Sequence, residues 1–243
     1  MKIVSWNCNG AFRKKFSQIA ELDADIYVIQ ECENPQLVAD KSIYFKDFTS
    51  NHLWQGENKN KGLGVFAKPG LGLEKVTLNH EWRGRSLKWF LPFHLSKGDQ
   101  TLKFLGVWNH SADAKAFDYI GQSWLFLQNN RQYFRDAIVA GDFNSNSIWD
   151  SWDRWWNHTD YVNELSSLGL VSLYHFTNDE EQGKETQPTF LLQRNEKKKY
   201  HIDYIFADAE KARLTEKFKV HDFQEWIKSS DHVPIEWYIG EKS

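Results

Sequence analysis

Short apolar runs that end in a residue with a side-chain oxygen limit most strongly how this chain can fold. Residues 137–140 read Ala-Ile-Val-Ala and lead directly into Gly141-Asp142-Phe143-Asn144. An apolar run of this length is typical of a strand buried on both faces, as in the parallel part of an α/β sheet. Open α/β sheets bind ligands at the carboxyl ends of such strands. The pattern therefore predicts an α/β fold with a polar site at one sheet edge.

Two further runs end in the same way. Residues 2–6 precede Asn7 and residues 26–30 precede Glu31, so each predicted strand places an oxygen donor at its carboxyl end. Taken alone, Gly-Asp-Phe-Asn could be an ordinary turn in which Asp and Asn bond to their own backbone. Because three strand ends carry residue types suited to metal binding or proton transfer, the pattern favours a functional site over a turn.

The rest of the chain alternates between helical and strand periodicity. Apolar residues from Phe12 to Leu22 recur at helical spacing between the first two strands, which predicts a β-α-β opening. Four successive strands at 63–67, 73–78, 87–95 and 101–108 predict an antiparallel meander. Helices are predicted at 113–134 and 160–168, and strands at 170–174, 189–192, 202–207, 217–221 and 233–239. Mixed sheets packed against each other, with helices outside, fit this order.

Length and charge set limits on organisation and partners. The 243 residues contain no linker, low-complexity tract or fixed-period repeat, and the candidate site residues run from Asn7 to His232, so residues 1–243 are predicted to form one domain. The net charge of −3 argues against binding of nucleic acid by bulk electrostatics, although it leaves room for a local basic groove. Without a leader-like segment or a membrane-length apolar run, we expect a cytoplasmic protein.

A second polar motif lies near the end of the chain, where a loop carries Ser230-Asp231-His232 into another apolar run. Together with Asp142 and Asn144, this Asp-His pair supplies the groups needed for metal-assisted attack of water on a phosphoester. The two cysteines lack the paired Cys/His spacing of a structural zinc site. The residues themselves therefore indicate a phosphodiesterase.

Six short blocks occur in an order that resembles the endonuclease/exonuclease/phosphatase superfamily, which has the deoxyribonuclease-I-like fold. They are Ser5-Trp6-Asn7-Cys8-Asn9-Gly10, Gln30-Glu31, Asn109-His110-Ser111, Gly141-Asp142-Phe143-Asn144, His201-Ile202-Asp203-Tyr204-Ile205-Phe206 and Ser230-Asp231-His232. Each block is weak alone, but together they span nearly the whole chain. The resemblance implies a four-layer α/β sandwich of two packed mixed β-sheets with helices on the outer faces, and an active site at one edge of both sheets.

The resemblance also implies a metal site. Glu31 would bind a divalent ion directly, Asn7 would support the ion or the phosphate, and Asp231 would be a further metal ligand. Asn9 stands where many relatives have an acidic residue, and it is counted here with the substrate-contacting residues. Mg²⁺ suits a site of carboxylates that leaves room for water and phosphate oxygens, and Mn²⁺ could substitute for it.

The implied catalytic residues are His110, Asp142, Asn144, Asp203 and His232. His232 would contact the scissile phosphate while Asp203 orients its imidazole, and Asn144 would orient Asp142 and donate to a phosphate oxygen. Either Asp142 or His232 could take the proton from the attacking water, and the sequence leaves both interpretations open. A lone histidine such as His110 is more often structural, but its motif faces the phosphate in the deoxyribonuclease and phosphatase branches. The sequence of this motif, Asn109-His110-Ser111, resembles those branches more than the abasic-site endonucleases.

Two segments bear on the substrate. Trp149, Trp152, Trp155 and Trp156 could form a stacking platform for bases, or the last three could lie on one helical face and fill a core gap. Arg194 opens a basic stretch that could follow a phosphate backbone or form a solvated hairpin tip. Trp149 and Arg194 are therefore candidate substrate-binding residues.

The sequence thus predicts a divalent-metal-dependent phosphodiesterase, in the first place a nuclease that acts on DNA or RNA. A phosphatase or phosphodiesterase for a soluble phosphorylated metabolite or a lipid headgroup is the alternative, and a catalytically silent binding protein is a third. Nucleic acid or a nucleotide is the expected partner. We expect a monomer without a membrane or an obligate protein partner.

Overall fold

The computed structural model describes residues 1–38, 42–111 and 117–240. Its strands are β1 Lys2–Asn7, β2 Ile26–Cys32, β3 His52–Asn58, β4 Lys61–Ala67, β5 Gly72–Lys75, β6 Glu81–Trp82, β7 Arg85–Ser86, β8 Phe90–Lys97, β9 Gln100–Trp108, β10 Ile138–Asp142, β11 Leu170–Ser172, β12 Phe190–Leu191, β13 Lys199–Tyr200, β14 Asp203–Asp208, β15 Thr215–Val220 and β16 Ile235–Ile239. Its α-helices are α1 Phe16–Ala20, α2 Pro35–Val38, α3 Ile43–Phe48, α4 Ile120–Phe134, α5 His158–Ser167, α6 Leu173–Asn178, α7 Ala209–Arg213 and α8 Phe223–Trp226.

Two six-stranded sheets organise these elements. The first has the order β15-β16-β1-β2-β4-β3, and the second has the order β11-β14-β10-β9-β8-β5. Both sheets are mixed, because β1 runs parallel to β2 and β9 runs parallel to β10 while their other neighbours are antiparallel. The predicted α/β class with two mixed sheets is confirmed, and so is the β-α-β opening.

Strand alternation produces the layers of this sandwich. In β2, Ile26 and Val28 join the apolar cluster that both sheets share, whereas Tyr27 and Ile29 point to the cluster under the helices of the first sheet. On the second sheet, Val139 belongs to the apolar cluster beneath α4 and α5. Successive residues of a strand face opposite sides, so each central strand stabilises two apolar layers at once. The helices therefore cover the outer faces, as predicted.

A glycine fixes the strand that leads to the site. A side chain at Gly141 would place its Cβ 1.8 Å from the carbonyl oxygen of Val107 in the neighbouring strand β9. Only glycine fits there, since no real Cβ approaches a backbone oxygen so closely. Gly141 thus lets β10 lie against β9 and end at Asp142.

The predicted antiparallel meander needs a correction. β5, β8 and β9 pair antiparallel in the second sheet, but residues 63–67 belong to β4 of the first sheet, where they pair with β2 and β3. Strand β3 and the hairpin of β6 and β7 were not predicted. β3 reads His-Leu-Trp-Gln-Gly-Glu-Asn and is only half buried, so its pattern lacks the apolar signal of a core strand.

Several predicted boundaries also differ. Helix α4 begins at Ile120 rather than at residue 113, and residues 113–116 lie outside the described residues. The predicted strand at 170–174 stops at Ser172, and Leu173 begins α6. Within the described residues, no helix is both long and apolar enough to cross a membrane.

Candidate active site

The sheet topology brings the predicted site residues to one edge. Strands β1 and β10 end at Asn7 and Asp142, and Glu31 lies one residue before the end of β2. Strand β14 runs antiparallel to β10, so it begins at the edge where β10 ends, and its first residue, Asp203, pairs with Asp142. The loop before β16 adds His232. Residues far apart in the chain therefore converge because parallel strands end at the same side of the sandwich.

His232 lies between two carboxylates. Its Nδ1 is 2.9 Å from Oδ2 of Asp203, and its Nε2 is 4.0 Å from Oδ2 of Asp142. All three side chains are buried, and the ring of Phe190 packs on the imidazole with centroids 4.5 Å apart. The Asp203 contact is the orienting hydrogen bond that the sequence predicted, and it leaves Nε2 facing Asp142.

Burial and mutual charge shift both titrating groups of this cluster. Burial raises the pKa of the Asp142 carboxyl to about 7, although the His232 cation opposes that rise. Burial by itself lowers the pKa of the His232 imidazole, but the carboxylates of Asp203 and Asp142 outweigh it and raise the pKa to about 9. At neutral pH the arrangement therefore favours a protonated His232 beside a carboxyl that can gain or lose a proton.

Two amides hold Asp142 in place. The Nδ2 group of Asn7 donates to its Oδ2 at 2.9 Å, and the Nδ2 group of Asn144 donates to the same atom at 3.1 Å. Asn144 has a φ of 46°, a left-handed conformation that asparagine tolerates, and its amide also donates to the carbonyl of Asn109 at 2.7 Å. Neutral amides restrain the carboxylate without neutralising it.

Glu31 lies on the more open side of the edge. Its φ of 57° falls where the pairing of β2 with β4 shifts register between Ile29 and Cys32, and such a bulge can redirect a side chain. The carboxylate accepts from Asn7 Nδ2 at 3.4 Å, and its other oxygen pairs with the ammonium of Lys61. Lys61 was not predicted, because it lies 30 positions away in the sequence and carries no local motif.

Asp231 and Asn9 contact each other at the same sheet edge. Asn9 Nδ2 donates to Oδ1 of Asp231 at 2.9 Å, and the Asn9 backbone N–H donates to Asn7 Oδ1 at 3.0 Å. Lys15 donates to the carbonyls of Cys8 and Asn9 at 2.6 and 3.2 Å. Burial lowers the pKa of Lys15, and the positive charge of Arg194 adds to that effect while Asp231 opposes it. Lys15 and Arg194 thus form a basic rim next to Asp231.

His110 is exposed at the end of the neighbouring strand. Its ring packs against Trp108 and Trp89, with centroid distances of 5.2 and 6.0 Å. The buried amide of Gln122 donates to the His110 carbonyl at 2.8 Å. The structure therefore fixes the backbone of His110 while its imidazole stays exposed, and among the described residues no ion pair joins this histidine to Asp142 or Asp203.

The tryptophan segment after Asn144 does not fill a core gap. Residues 150–157 form turns and bends rather than a helix, and Trp152 and Trp155 are 97% and 63% exposed, so the alternative of one helical face filling a core gap does not hold; only Trp156 is half-buried, against Phe117. Trp149 is 44% exposed and packs on Tyr200 with centroids 4.9 Å apart. The segment instead presents aromatic surface next to the site.

Two sets of donor atoms at this edge could hold a metal ion. Among the described residues, one ligand atom from each of Asp142, Asp203 and His232 lies within 4.8 Å of the others, and Oδ1 of Asp203 is buried without a hydrogen-bond partner there. That set is compromised by the protonated imidazole, which cannot bind a cation. The other set consists of the Glu31 carboxylate, whose side chain is 18% exposed, and the buried Oδ1 of Asn7, which accepts the Asn9 backbone N–H. Such oxygen donors fit a hard divalent cation.

A two-sheet sandwich with a buried Asp-His pair and an open acidic edge defines a phosphoric ester hydrolase. The model of the Endonuclease/Exonuclease/phosphatase family matches residues 4–232, and the chain belongs to this family. No curated protein sequence gives a significant match.

Solved structures show the same fold. The 3′ phosphatase NExo from Neisseria, bound to a product DNA hairpin, is 19% identical and aligns over 99% of this chain and 100% of that chain with a TM-score of 0.68. The AP endonuclease LMAP from Leishmania major is 13% identical over 99% and 88%, with a TM-score of 0.70. A family protein from Leptotrichia buccalis is 18% identical over 99% and 100%, with a TM-score of 0.60.

Proposed function

We propose that this protein is a Mg²⁺-dependent nuclease that hydrolyses phosphodiester bonds of DNA or RNA. The observation that carries the proposal is the Asp203–His232–Asp142 cluster at an edge that also presents Glu31. A similar fold in the Neisseria 3′ phosphatase NExo holds a DNA hairpin, which supports a nucleic acid as substrate.

Each residue of the buried cluster has a role in this proposal. Asp142 takes a proton from the attacking water, since its raised pKa of about 7 makes proton uptake favourable near neutral pH. His232 stays protonated and donates from Nε2 to a phosphate oxygen, where it stabilises negative charge in the transition state. Asp203 is a positioning residue, because its bond to Nδ1 fixes the direction of the imidazole.

The metal belongs to the open side of the edge. Glu31 would bind Mg²⁺ or Mn²⁺ with help from Asn7 and Asp231, after the Lys61 ammonium moves off the carboxylate. A bound divalent ion would supply charge stabilisation for the phosphate oxygens. Both N–H groups of the Asn144 amide are used, by Asp142 Oδ2 and by the Asn109 carbonyl, so Asn144 positions Asp142 and would donate to a phosphate only after it releases one of these partners.

The rim supplies contacts for the rest of a strand. Arg194 and Lys15 place positive charge beside Asp231, and Trp149 and Tyr200 offer adjoining aromatic rings. Phosphates along a nucleic acid favour such cations, and every base has a face that can stack on a ring. His110, which is exposed two residues after the end of β9, would contact a flanking phosphate.

The proposal is tested by hydrolysis of a substrate panel with Mg²⁺, Mn²⁺ or EDTA. The panel contains single-stranded DNA, duplex DNA, duplex DNA with an abasic site, RNA and a small bis-phosphodiester. Asp142→Asn removes the proposed base, and Asp99→Asn makes the same change in an exposed turn as a control. Cleavage of a polymer that disappears with EDTA and with Asp142→Asn, but not with Asp99→Asn, supports a nuclease. Turnover of the small diester alone would assign a small-molecule substrate, and no turnover would contradict hydrolysis.

A further inference from the structure

A separate pocket shares a wall with the proposed catalytic cluster. The pocket has a volume of about 220 Å³, and Asn144 forms part of its lining. The same Asn144 amide donates to Asp142 Oδ2 at 3.1 Å, so a group in the pocket lies next to the position proposed for the phosphate. Pockets that enclose drug-sized ligands measure about 300–1,000 Å³, so this one suits a single ring system rather than a whole nucleotide.

Aromatic side chains form much of the lining. Tyr119 is 42% exposed and Trp149 is 44% exposed, and Trp156 lies beside them. Large rings that stay half open at a polar site provide flat apolar faces, on which a nucleobase can stack. Trp152, in the same segment, is 97% exposed and does not line the pocket.

The charges around the pocket favour an uncharged ring over a phosphate. Arg154 lines the pocket together with the carboxylates of Asp118 and Asp150. Asp150 accepts the backbone N–H groups of His158 and Thr159 at 2.9 and 3.2 Å, which keeps its negative charge fixed in place. A phosphate in the pocket would meet the fixed carboxylate of Asp150, so the anionic part of a substrate belongs on the side of His232.

Two polar atoms of the lining residues lack partners within the part of the chain that the structure describes: Nδ1 of His158 and Nε of Arg154. The ring of His175 lies 3.0 Å from Glu185 through Nε2, the amide of Gln182 donates to its Nδ1 at 3.2 Å, and Gln182 Oε1 then accepts from His158 Nε2 at 3.1 Å. This chain leaves His158 Nδ1 as an acceptor, while Arg154 Nε is a donor. Both atoms are covered by protein, so they lie behind the pocket surface and do not supply hydrogen bonds to a base there; the exposed rings of Tyr119 and Trp149 are the contact surface.

We propose that this pocket binds the nucleobase adjacent to the scissile phosphate, by stacking on Tyr119 and Trp149. The inference rests on the proposed nuclease function and deepens it, since it requires a substrate with an intact base at that position. An abasic nucleotide leaves the rings of the pocket uncovered and binds more weakly. The pocket therefore selects against the substrate of an abasic-site endonuclease.

The test measures binding to the full-length protein in EDTA, where metal-dependent cleavage is stopped. Fluorescence anisotropy would compare a labelled single-stranded pentanucleotide with five versions that each carry one abasic residue. We expect one abasic position to raise Kd by about tenfold, the size typical of a lost base-stacking contact. Trp149→Ala should remove that difference, whereas Trp152→Ala, the same change at an exposed ring outside the pocket, should keep it.

Each outcome separates this inference from the proposed function. Equal affinity for the intact strand and all five abasic strands, or a difference that survives Trp149→Ala, overturns the base pocket even if Mg²⁺-dependent hydrolysis is present. Failure of the intact strand and of all five abasic strands to bind also overturns it. Absence of Mg²⁺-dependent hydrolysis together with a base-dependent Kd would contradict the nuclease and with it the position next to a scissile phosphate, while the pocket would keep its role as a base-binding site. Thermal melts of Trp149→Ala and Trp152→Ala show whether either variant is misfolded.

Discussion

The two halves of the candidate site differ most in their access to solvent. In the buried half, Asp142 and Asp203 are almost fully covered and share the His232 imidazole. In the open half, the Glu31 side chain is 18% exposed and pairs with Lys61, which is 48% exposed. The Asn7 amide donates to both Glu31 and Asp142, yet these two carboxylates lie in very different environments.

The difference in solvent exposure explains how one sheet edge can provide both a proton-transfer group and a cation-binding group. Burial makes a carboxylate easier to protonate, and it raises the pKa of Asp142 although the hydrogen bond from Asn7 opposes the rise, so this carboxyl can take part in proton transfer. A carboxylate open to water can bind a hard cation that keeps some of its own water ligands. We therefore assign proton transfer to the buried half and cation binding to the open half.

The largest expected effect on activity comes from replacing His232 in the buried half. His232→Gln keeps a side chain that can donate a hydrogen bond but removes the positive charge near the phosphate. We expect the rate of metal-dependent hydrolysis to fall by about 10²–10³, the usual range for loss of a donor that stabilises charge in the transition state. Initial rates at saturating metal provide the measurement. His221→Gln is the matched control, since His221 is also buried and bonded to a carboxylate, Glu236, outside the site. Equal losses in both variants would show a structural effect only.

A smaller effect is expected from Asp203→Asn, which keeps the shape of the pair but removes the charge beside His232. Loss of this orienting partner should lower kcat by about 10–100-fold, as for other residues that position a functional imidazole. It should also lower the pKa of His232, because the Asp203 carboxylate is the leading cause that raises it above its usual value. NMR titration of the His232 ring nitrogens measures that shift. An unchanged His232 pKa would refute the positioning role.

Cation binding in the open half can be tested through Lys61, whose ammonium competes with a cation for Glu31. Lys61→Met should lower the metal concentration for half-maximal activity by up to about fivefold, since exposed ion pairs contribute about 0–1 kcal/mol. Lys59→Met, in the turn between β3 and β4 that precedes Lys61, is the control. Activity curves against Mg²⁺ concentration give the comparison, and a higher metal requirement in Lys61→Met would mean that Lys61 assists the site.

The smallest effect comes from a buried carboxylate outside the site. Burial opposes ionisation of Glu236, but His221, Lys2 and Lys217 outweigh it and lower the pKa to about 2. A lowered pKa stabilises the fold above the ordinary value near 4.5, and that stabilisation is lost as the pH falls towards 2. Glu236→Gln should therefore lower Tm by about 2–4 °C at neutral pH.

Measurements of Tm at acidic pH test the sign of the Glu236→Gln prediction. The Tm difference between wild type and Glu236→Gln should shrink as the pH falls below 4.5 towards 2. Glu216→Gln, an exposed glutamate on the neighbouring strand, should leave Tm unchanged at every pH. A Tm difference that grows in acid would reverse the sign that we assign.

Local pattern predicted the parts of the fold with a strong apolar signal. Strand β10 and the loop that follows it were visible because a continuous apolar run ends at Asp142. Strand β3 was missed because its half-exposed residues alternate weakly, and β4 was placed in the wrong sheet because pairing with β2 is a long-range choice. The apolar run at 170–174 was read as one strand, although Leu173 already begins a helix.

The site was predictable where motifs carry the chemistry and unpredictable where contacts cross the chain. Asp203 and His232 belong to motifs, and their hydrogen bond follows from the fold. The pairing of Lys61 with Glu31 depends on a bulge and on a neighbouring hairpin, for which no local signal exists. Trp152 resembled a core residue by its type, but the turns around it leave it in solvent.

The division between the two halves is tested most directly by calorimetric titration of Mn²⁺ into wild type, Glu31→Gln and Asp142→Asn. We predict that Glu31→Gln weakens Mn²⁺ binding by at least about tenfold, in line with the loss of a metal-supporting group. Asp142→Asn should bind Mn²⁺ as wild type does while its hydrolytic activity is lost. Abolished Mn²⁺ binding in Asp142→Asn, with binding retained in Glu31→Gln, would place the metal among Asp142, Asp203 and His232 and contradict the account.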